Sequence, residues 1–462
     1  MQAVKRGIVT DTDHGQLPPR LLAALPGPEC TRYVDALGRA ESPGLTPRRG
    51  RNQESPGAEQ DPIVWIEARG ANVLDADGNR FVDLTAGFGA AAVGHRHPRV
   101  VAAIKRQSDR LLHALGDLHP SDVRIALLQR LAALAPFENA RAVLTLSGSD
   151  AVEAALASAL LFTGKPGVLA FEGGYHGLSL GARAACGYKQ RFRQPFAAQL
   201  NPQVYFAPYP ALISAYEPDA LSASLDAVRA RFRQAAATNA PIGAVLVEPI
   251  QGRGGVREPV AGFLRELGAR CREQGALLVA DEIFTGLGRA GAVWRSTSEV
   301  LPDIICAGKA LGGGMPVSAC IGRSEVMAAW GGPGDEALYA GTFFGHPLCC
   351  AAALAALEVI EQERLVDRSQ ETGEAFRQML RELGFSHALV RGVRGQGLMI
   401  GVALDRPGRA VELGQLLLQE GYLVMPAGAD SDVLSLTPPL NIDPALLSGF
   451  TAALGRCLEQ VA

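Results

Sequence analysis

The 462-residue sequence lacks the features that mark secreted, membrane-spanning and nucleic-acid-binding proteins. Its 8 cysteines are scattered through apolar sequence without zinc-ligand spacing, which predicts reduced thiols and a cytoplasmic location. No apolar stretch is as long as a membrane span, and no apolar segment follows the first residues as in a secretory signal. The net charge of −3 predicts no nucleic-acid or membrane partner.

The order of predicted strands and helices indicates an α/β protein with a large and a small domain. Residues 1–60 are rich in Pro, Gly, Arg and Glu and predict an N-terminal arm. A β-meander lies in residues 61–100, the predicted N-terminal part of the small domain. Residues 101–345 alternate helices with short apolar strands and predict a doubly wound, mostly parallel sheet. Residues 346–462 would complete the small α/β domain. The predicted strands of the large domain are 142–146, 167–171, 242–247, 276–280 and 304–307.

Lys309 and Asp281 are the most informative residues of the chain. Lys309 follows an apolar strand and enters a glycine-rich turn, where an ammonium group loses solvation. Burial lowers the pKa of a lysine, and a neutral amine attacks carbonyl carbons. Asp281 ends another apolar strand 28 residues earlier, a separation that fits one crossover to a neighbouring strand. The pair predicts a pyridoxal phosphate site, in which the lysine forms the Schiff base and the aspartate keeps the pyridine nitrogen protonated. Asp281 alone would also fit a helix cap or a paired surface acid.

Other strand ends carry residues with two interpretations each. The backbone N–H groups of Gly148 and Ser149 precede a helix, where they would bind an anion or belong to a simple capped helix. Tyr175 or His176 would stack on a flat heteroaromatic ring, or the aromatic side chain would only fill a turn. Arg394, between glycines, would clamp a carboxylate or remain a solvated loop charge.

Two short motifs are discounted. Residues 286–291 match G-x-G-x-x-G, but Trp-Arg-Ser-Thr-Ser follows where a dinucleotide-binding fold needs a helix. His95 and His97 lack further ligands at suitable spacing, so they predict a structural turn and no metal site.

Taken together, the motifs closely resemble those of the class III aminotransferases, pyridoxal phosphate enzymes of fold type I. The resemblance runs from about residue 63 to the C-terminus. The matching motifs are Asp75-x-Asp77-Gly78-Asn79, Gly94-His95-x-His97-Pro98, Ser147-Gly148-Ser149-x-Ala-Val-Glu153, Gly174-Tyr175-His176-Gly177, Glu248-Pro249-Ile250-Gln251-Gly252, Asp281-Glu282-Ile283, Thr285-Gly286-x-Gly288-Arg289, Lys309, Gly341-Thr342-Phe343 and Arg394-Gly395-x-Gly397.

The resemblance implies how the cofactor ring is held. Lys309 would bind the cofactor covalently and shuttle the proton, and Asp281 would pair with the pyridine nitrogen. Tyr175 and Ile283 would sandwich the ring. Two further cofactor-site residues fall in the matched motifs, namely His176 and Glu248.

The resemblance also assigns the phosphate and the substrate carboxylate. The backbone amides of Gly148 and Ser149 would hold the phosphate, joined by Thr342 from the other subunit. Arg394 would bind the α-carboxylate of an amino acid or oxo acid. Shared sites imply a homodimer or a tetramer of such dimers.

Three positions near the substrate depart from the family pattern. Arg253 stands where the members that act on 4-aminobutyrate or ornithine carry glutamate. Leu178 replaces an arginine of the 4-aminobutyrate enzymes, and Phe284 replaces a common glutamine. If Arg253 points inward, it adds a second cation near Arg394 and favours anionic substrates over free amines. The alternative is that Arg253 points to solvent or pairs with an acid.

The predicted function is a pyridoxal phosphate-dependent aminotransferase. It would move an amino group from an amino acid or ω-amine to an oxo acid or aldehyde by a ping-pong mechanism through pyridoxamine phosphate. Glutamate with 2-oxoglutarate, or alanine with pyruvate, would be one of the substrate pairs. The alternatives are an aminomutase of the glutamate semialdehyde type, a decarboxylase, and a binding subunit that has lost catalysis.

Overall fold

A computed structural model describes residues 15–46, 62–211, 219–332 and 334–461 of the chain. Its strands are β1 (Trp65–Arg69), β2 (Asn72–Asp75), β3 (Arg80–Asp83), β4 (Arg141–Thr145), β5 (Gly167–Phe171), β6 (Val204–Ala207), β7 (Ile242–Val247), β8 (Leu277–Asp281), β9 (Ile304–Ala307), β10 (Ser318–Gly322), β11 (Val390–Gln396), β12 (Met399–Leu404), β13 (Tyr422–Leu423), β14 (Met425–Ala427) and β15 (Val433–Leu436). Its helices are α1 (Pro28–Ala40), α2 (Ala86–Gly89), α3 (Pro98–Ser108), α4 (Asp122–Leu134), α5 (Gly148–Thr163), α6 (Leu180–Ala184), α7 (Ala220–Ala237), α8 (Phe263–Gln274), α9 (Ser324–Met327), α10 (Pro347–Gln362), α11 (Leu365–Ser386), α12 (Arg409–Gln419) and α13 (Pro444–Gln460).

The large sheet has seven strands in the order β4-β10-β9-β8-β7-β5-β6. Strand β10 runs antiparallel to both of its neighbours, and the remaining pairs are parallel. The predicted doubly wound, mostly parallel sheet is therefore confirmed. The five predicted strands lie within one residue of their observed bounds. The edge strand β6 and the antiparallel strand β10 were not predicted.

Helices cover both faces of this sheet, so its central strands are buried along their whole length. In β7, Ala244 and Leu246 face the alanine-rich side of α5. Val245 and Val247 face the other layer, which contains α7 and α8. Successive side chains of a strand therefore face opposite layers. Because both layers are apolar, each central strand is a continuous apolar run in the sequence.

There are two smaller sheets, one of which joins the N-terminal and C-terminal parts of the chain. One has the order β1-β2-β3-β13, in which Tyr422 and Leu423 pair in parallel with Val82 and Asp83. The other is antiparallel, with the order β11-β12-β15-β14. The small α/β layer is thus built from both ends of the chain, as predicted.

The predicted N-terminal arm contains one helix in its described part. Helix α1 is anchored by Asp77, whose carboxylate accepts the backbone N–H groups of Glu29 at 2.8 Å and Cys30 at 2.9 Å. Residues 1–14 and 47–60 of the arm lie outside the described residues.

The eight cysteines are all buried, and each has a free thiol. Within the described ranges, every helix is too short or too polar to cross a membrane.

Candidate active site

A cavity of about 210 Å³ lies at the carboxyl ends of the central strands of the large sheet. Ligands bind in this position in open α/β sheets, because loops and helix N-termini converge there. Eight of the predicted site residues line it. The lining residues are Gly148, Ser149, Tyr175, His176, Gly177, Glu248, Asp281, Ile283, Phe284 and Lys309.

Lys309 enters the cavity from the turn that follows β9. Its φ angle of 45° lies in the left-handed region, a strained conformation for a residue with a side chain. Its Nζ atom lies 3.7 Å from the centroid of the Phe284 ring. Burial lowers the pKa of Lys309 to about 8, although the negative charges of Asp281 and Glu248 oppose this shift. A substantial fraction of the amine is therefore neutral near physiological pH.

Asp281, the last residue of β8, forms a buried pair with His176. The His176 Nδ1 and Asp281 Oδ2 atoms are 2.7 Å apart, and Oδ1 accepts the backbone N–H of Ile283 at 3.1 Å. Burial disfavours a protonated His176, but its hydrogen bond to Asp281 and the charges of Asp281 and Glu248 outweigh burial and raise its pKa.

Glu248 braces two walls of the cavity. Its buried carboxylate accepts the backbone N–H of Tyr175 at 2.8 Å and that of Gly252 at 2.9 Å. Burial raises the pKa of Glu248 to about 7; the charge of Asp281 adds to this shift, whereas His176 and the two N–H groups oppose it. The carboxylate therefore holds the segment that carries Tyr175 against the loop that begins after β7.

The N-terminus of α5 forms another wall. Ser147 and Asp150 make a reciprocal capping box, which fixes the first turn of the helix. The backbone N–H groups of Gly148 and Ser149 lie in this turn, where they have no partner within the helix. A Cβ atom at position 148 would lie 2.8 Å from Ile283 Cδ1, so a larger residue here would displace the end of the Ile283 side chain. The turn thus presents backbone donors directly beside an apolar side chain.

Three predicted residues do not line the cavity. The guanidinium carbon of Arg253 lies 4.7 Å from the centroid of the Tyr175 ring, so Arg253 contacts a lining residue. Arg394 Nε donates a hydrogen bond to the Gly255 carbonyl at 2.9 Å, on the loop that carries Arg253. Thr342 is exposed on the surface of the chain.

Two residues that support the site, Ser179 and Tyr188, were not predicted from the sequence. The backbone N–H of Ser179 donates to Ser149 Oγ at 2.9 Å and steadies the first turn of α5. Tyr188 packs edge-on against Tyr175, with ring centroids 6.3 Å apart, and donates its hydroxyl hydrogen to the Gly428 carbonyl at 2.9 Å. Tyr188 begins a segment, 188–193, that contains two aromatic and three basic residues, a composition that could have indicated it.

These groups fit pyridoxal phosphate. The helix N-terminus suits a phosphate, the Asp281 carboxylate suits a protonated pyridine nitrogen, and the Lys309 amine suits an aldehyde carbon. The buried Nε2 atom of His176 makes no hydrogen bond to any of the described residues, which leaves one polar atom of the lining available to a ligand.

Comparison with known proteins agrees with this fit. The class III aminotransferase family matches residues 54–458. The acetylornithine aminotransferase of Methanopyrus kandleri is 38% identical over 399 residues, which cover 86% of this chain and 95% of that protein. The alanine/serine racemase of Pyrococcus horikoshii is 34% identical over 464 residues and covers 96% of this chain and 93% of that protein.

A solved structure shares the same fold. An amine transaminase from an uncultivated Pseudomonas species, with pyridoxal phosphate bound, superposes with a TM-score of 0.80 at 29% identity and covers 90% of this chain and 98% of that one. The family match and the shared fold lead to one conclusion: the chain belongs to the class III aminotransferases, which use pyridoxal phosphate.

Proposed function

We propose that the protein transfers an amino group from an amino acid or ω-amine donor to an oxo acid or aldehyde acceptor. The observation that carries this proposal is the convergence of Lys309, Asp281 and the α5 N-terminus on one cavity. When bound, pyridoxal phosphate supplies a conjugated ring that takes up the electron pair left at the substrate carbon.

The side chains of this cavity have distinct parts in the reaction. Lys309 Nζ is the base that removes a proton from the substrate carbon and returns it elsewhere, a task that suits an amine with a pKa near 8. Asp281 holds a proton at the pyridine nitrogen, and the His176 hydrogen bond keeps the Asp281 carboxylate oriented. Tyr175 and Ile283 flank the ring.

Two further groups bind the anionic ends of the ligands. The backbone N–H groups of Gly148 and Ser149 donate to the phosphate, with help from the macrodipole of α5. Arg394 receives the substrate carboxylate as a bidentate partner. Its orientation is supported by the hydrogen bond from its Nε to the Gly255 carbonyl.

We also propose that the active protein is a homodimer with shared sites. Four exposed apolar side chains, with exposures of 58%, 60%, 73% and 53%, form a patch: Leu112, Leu115, Leu118 and Phe343. Ring contact between His113 and Phe343, with centroids 5.4 Å apart, joins the two segments of this patch. Thr342 is next to Phe343, so a second copy on this patch would bring Thr342 towards the partner's phosphate site.

The identity of the substrates is part of the proposal. Relatives named for acetylornithine and for 5-aminovalerate support an amino acid or ω-amine donor. We propose glutamate with 2-oxoglutarate, or alanine with pyruvate, as one substrate pair. The eight free, buried thiols support a cytoplasmic location.

A half-reaction screen tests the function. Purified protein loaded with pyridoxal phosphate is mixed with single amino acids, ω-amino acids and diamines, and the absorbance of the bound cofactor is followed. We expect one donor class to convert the cofactor to its amine form and an oxo acid to reverse the change. Lys309→Ala should lower the rate by about a thousandfold or more, because the proton-transferring base is lost. Lys165→Ala, at the protein surface, is the control and should react at the normal rate.

The screen also separates the alternatives. Inversion of an α-amino acid without any acceptor would indicate racemisation, the activity for which the Pyrococcus horikoshii relative is named. Migration of the amino group within one molecule would indicate a mutase, and release of carbon dioxide a decarboxylase. A cofactor that binds but responds to no donor would contradict the proposed transfer.

A further inference from the structure

Arg253 occupies a corner formed by two tyrosine rings beside the cavity. Its guanidinium carbon lies 4.7 Å from the Tyr175 centroid and 5.4 Å from the Tyr188 centroid. The two rings are nearly perpendicular, at 87°, so they hold the planar guanidinium group from two sides. No carboxylate forms an ion pair with Arg253 among the described residues, and its charge is therefore not neutralised by direct contact.

The backbone around Arg253 is held at three points. Gly252, its neighbour, donates its N–H to Glu248 at 2.9 Å, and the Arg253 carbonyl accepts the N–H of Gly428 at 3.0 Å. The Gly255 carbonyl accepts the hydrogen bond from Arg394 Nε. Arg253 and Arg394 are thus fixed by one loop.

The charge of Arg253 acts on the reacting amine. It contributes to the lowered pKa of Lys309, after burial as the main cause. Burial also raises the pKa of Tyr175, and the Arg253 charge opposes that rise. Both effects place the guanidinium group within electrostatic range of the cavity.

The nearby acids are engaged elsewhere or lie further off. Glu258 accepts the N–H of Gly395 at 2.6 Å and an amide hydrogen of Gln396 at 2.9 Å. Asp432 is close enough to raise the pKa of Arg394, where burial has the larger and opposite effect, but it forms no ion pair with Arg253 or Arg394 within the described part of the chain.

We propose that Arg253 is a specificity-determining residue that binds the second acidic group of a dianionic substrate. Arg394 binds the α-carboxylate of the same molecule. The inference rests on the proposed function and adds a substrate class to it: amino acids with an acidic side chain, and the corresponding dicarboxylic oxo acids. A diamine or a basic side chain is disfavoured at this position by repulsion between like charges.

The test compares isosteric substrates that differ in one charge. The kcat/KM values for glutamate and glutamine are measured with the cofactor-loaded wild type and with Arg253→Gln. We expect the wild type to prefer glutamate and the variant to lose roughly 10- to 100-fold in kcat/KM for glutamate, mostly through KM, with little change for glutamine. Arg193→Gln is the matched control, because Arg193 also lies over an aromatic ring, 4.3 Å from the Phe206 centroid, but does not contact Tyr175.

A second measurement needs no turnover. Dissociation constants are determined by calorimetry for glutarate and valerate, which have the same chain length and carry two and one carboxylates. The substitution should raise the Kd for glutarate by roughly the same factor by which it lowers kcat/KM for glutamate. The Kd for valerate should not change.

Three outcomes would overturn the inference while leaving aminotransfer intact. One is a wild type that uses neutral or ω-amine donors and no acidic ones. Another is an Arg253→Gln variant with an unchanged ratio of glutamate to glutamine activity. The third is an equal loss for all donors together with an altered cofactor spectrum, which would mean that Arg253 only positions Tyr175. In contrast, absence of a half-reaction with every donor would contradict the proposed function itself.

Discussion

At the scale of single residues, the site contains three buried ionisable groups whose pKa values are shifted in different directions. Burial lowers the pKa of Lys309 to about 8 and raises that of Glu248 to about 7. His176 keeps a raised pKa because Asp281 lies 2.7 Å away. Near neutral pH, the lysine is therefore partly neutral, and the shift of the His176 pKa is towards its protonated form. A nucleophile and a hydrogen-bonding partner for Asp281 coexist in one small cavity.

The lowered pKa of Lys309 predicts how cofactor-free protein captures pyridoxal phosphate. Because only the neutral amine reacts, the rate should rise about tenfold from pH 7 to pH 9 and change little from pH 9 to pH 10. The rate of an ordinary lysine, whose pKa is about 10.4, would instead rise about sevenfold from pH 9 to pH 10. Stopped-flow absorbance measures the rate.

The control for this experiment is a simple alkylamine, which reports the pH dependence of the cofactor's own ionisations. A capture rate that still rises about sevenfold from pH 9 to pH 10 would show that Lys309 is not desolvated as the structure indicates.

At the scale of secondary-structure elements, the first turn of α5 links helix stability to anion binding. The capping box of Ser147 and Asp150 defines where the helix begins, and the next two residues supply the free N–H groups. The close contact between Gly148 and Ile283 fixes the distance between the helix end and β8.

Loss of the α5 cap should therefore affect both the stability of the protein and its affinity for pyridoxal phosphate. Ser147→Ala is expected to cost about 1 kcal/mol of unfolding free energy, because the Asp150 N–H loses its acceptor. The Kd for pyridoxal phosphate should rise about three- to tenfold as the first turn frays. Urea denaturation and fluorescence titration provide the two values.

Ser121→Ala is the matched control, because Ser121 caps α4 by accepting the Arg124 N–H at 3.3 Å, away from the cavity. It should lose similar stability with an unchanged Kd. Equal changes of Kd in both variants would show that the α5 cap has no specific effect on phosphate binding.

At the scale of the whole molecule, one surface of the single chain exposes a group of large apolar side chains. The patch of Leu112, Leu115, Leu118 and Phe343 is largely exposed, and Thr342 lies at its edge. Contiguous apolar surface of this kind commonly marks an interface in proteins. A dimer would bury the patch and carry Thr342 to a second active site.

Hybrid dimers test whether Thr342 serves the partner. Lys309→Ala and Thr342→Val proteins are mixed under conditions that exchange subunits, and activity is measured at low cofactor concentration. A hybrid contains one site with both intact residues only if Thr342 acts across the interface. We therefore expect mixing to restore up to about half of the wild-type activity per hybrid.

Each variant alone is the baseline, and capture of an untagged subunit with an affinity-tagged one shows whether subunits exchange. A mixture that is no more active than the mean of its components would place Thr342 in its own subunit's site or outside any site. A monomer in analytical ultracentrifugation of the wild type would contradict the dimer directly.

The extent of prediction from sequence differs between elements. The central strands were located within one residue because helices bury both faces, which leaves uninterrupted apolar runs such as 242–247. Strand β10 was missed, since Ser318–Gly322 begins with serine and ends in glycine, so its sequence is not a continuous apolar run. Its strand conformation depends on antiparallel pairing with β4 and β9, which are distant in sequence.

Local chemistry is what the sequence by itself determined. A lone lysine after an apolar strand, an aspartate at a strand end and a glycine-rich helix start each specify a local environment, because burial and chain direction follow from neighbouring residues. These residues indicated the cofactor and the family.

Only the tertiary structure decided which groups meet. The pairing of His176 with Asp281 joins residues 105 positions apart, and Tyr188 has no motif that ties it to Arg253. The orientation of Arg253 depends on two rings that arrive from another part of the chain and on a loop fixed by Gly428. Side-chain direction in a loop is set by such non-local packing. The local sequence therefore allowed two opposite interpretations of Arg253. In the folded chain its side chain lies against Tyr175.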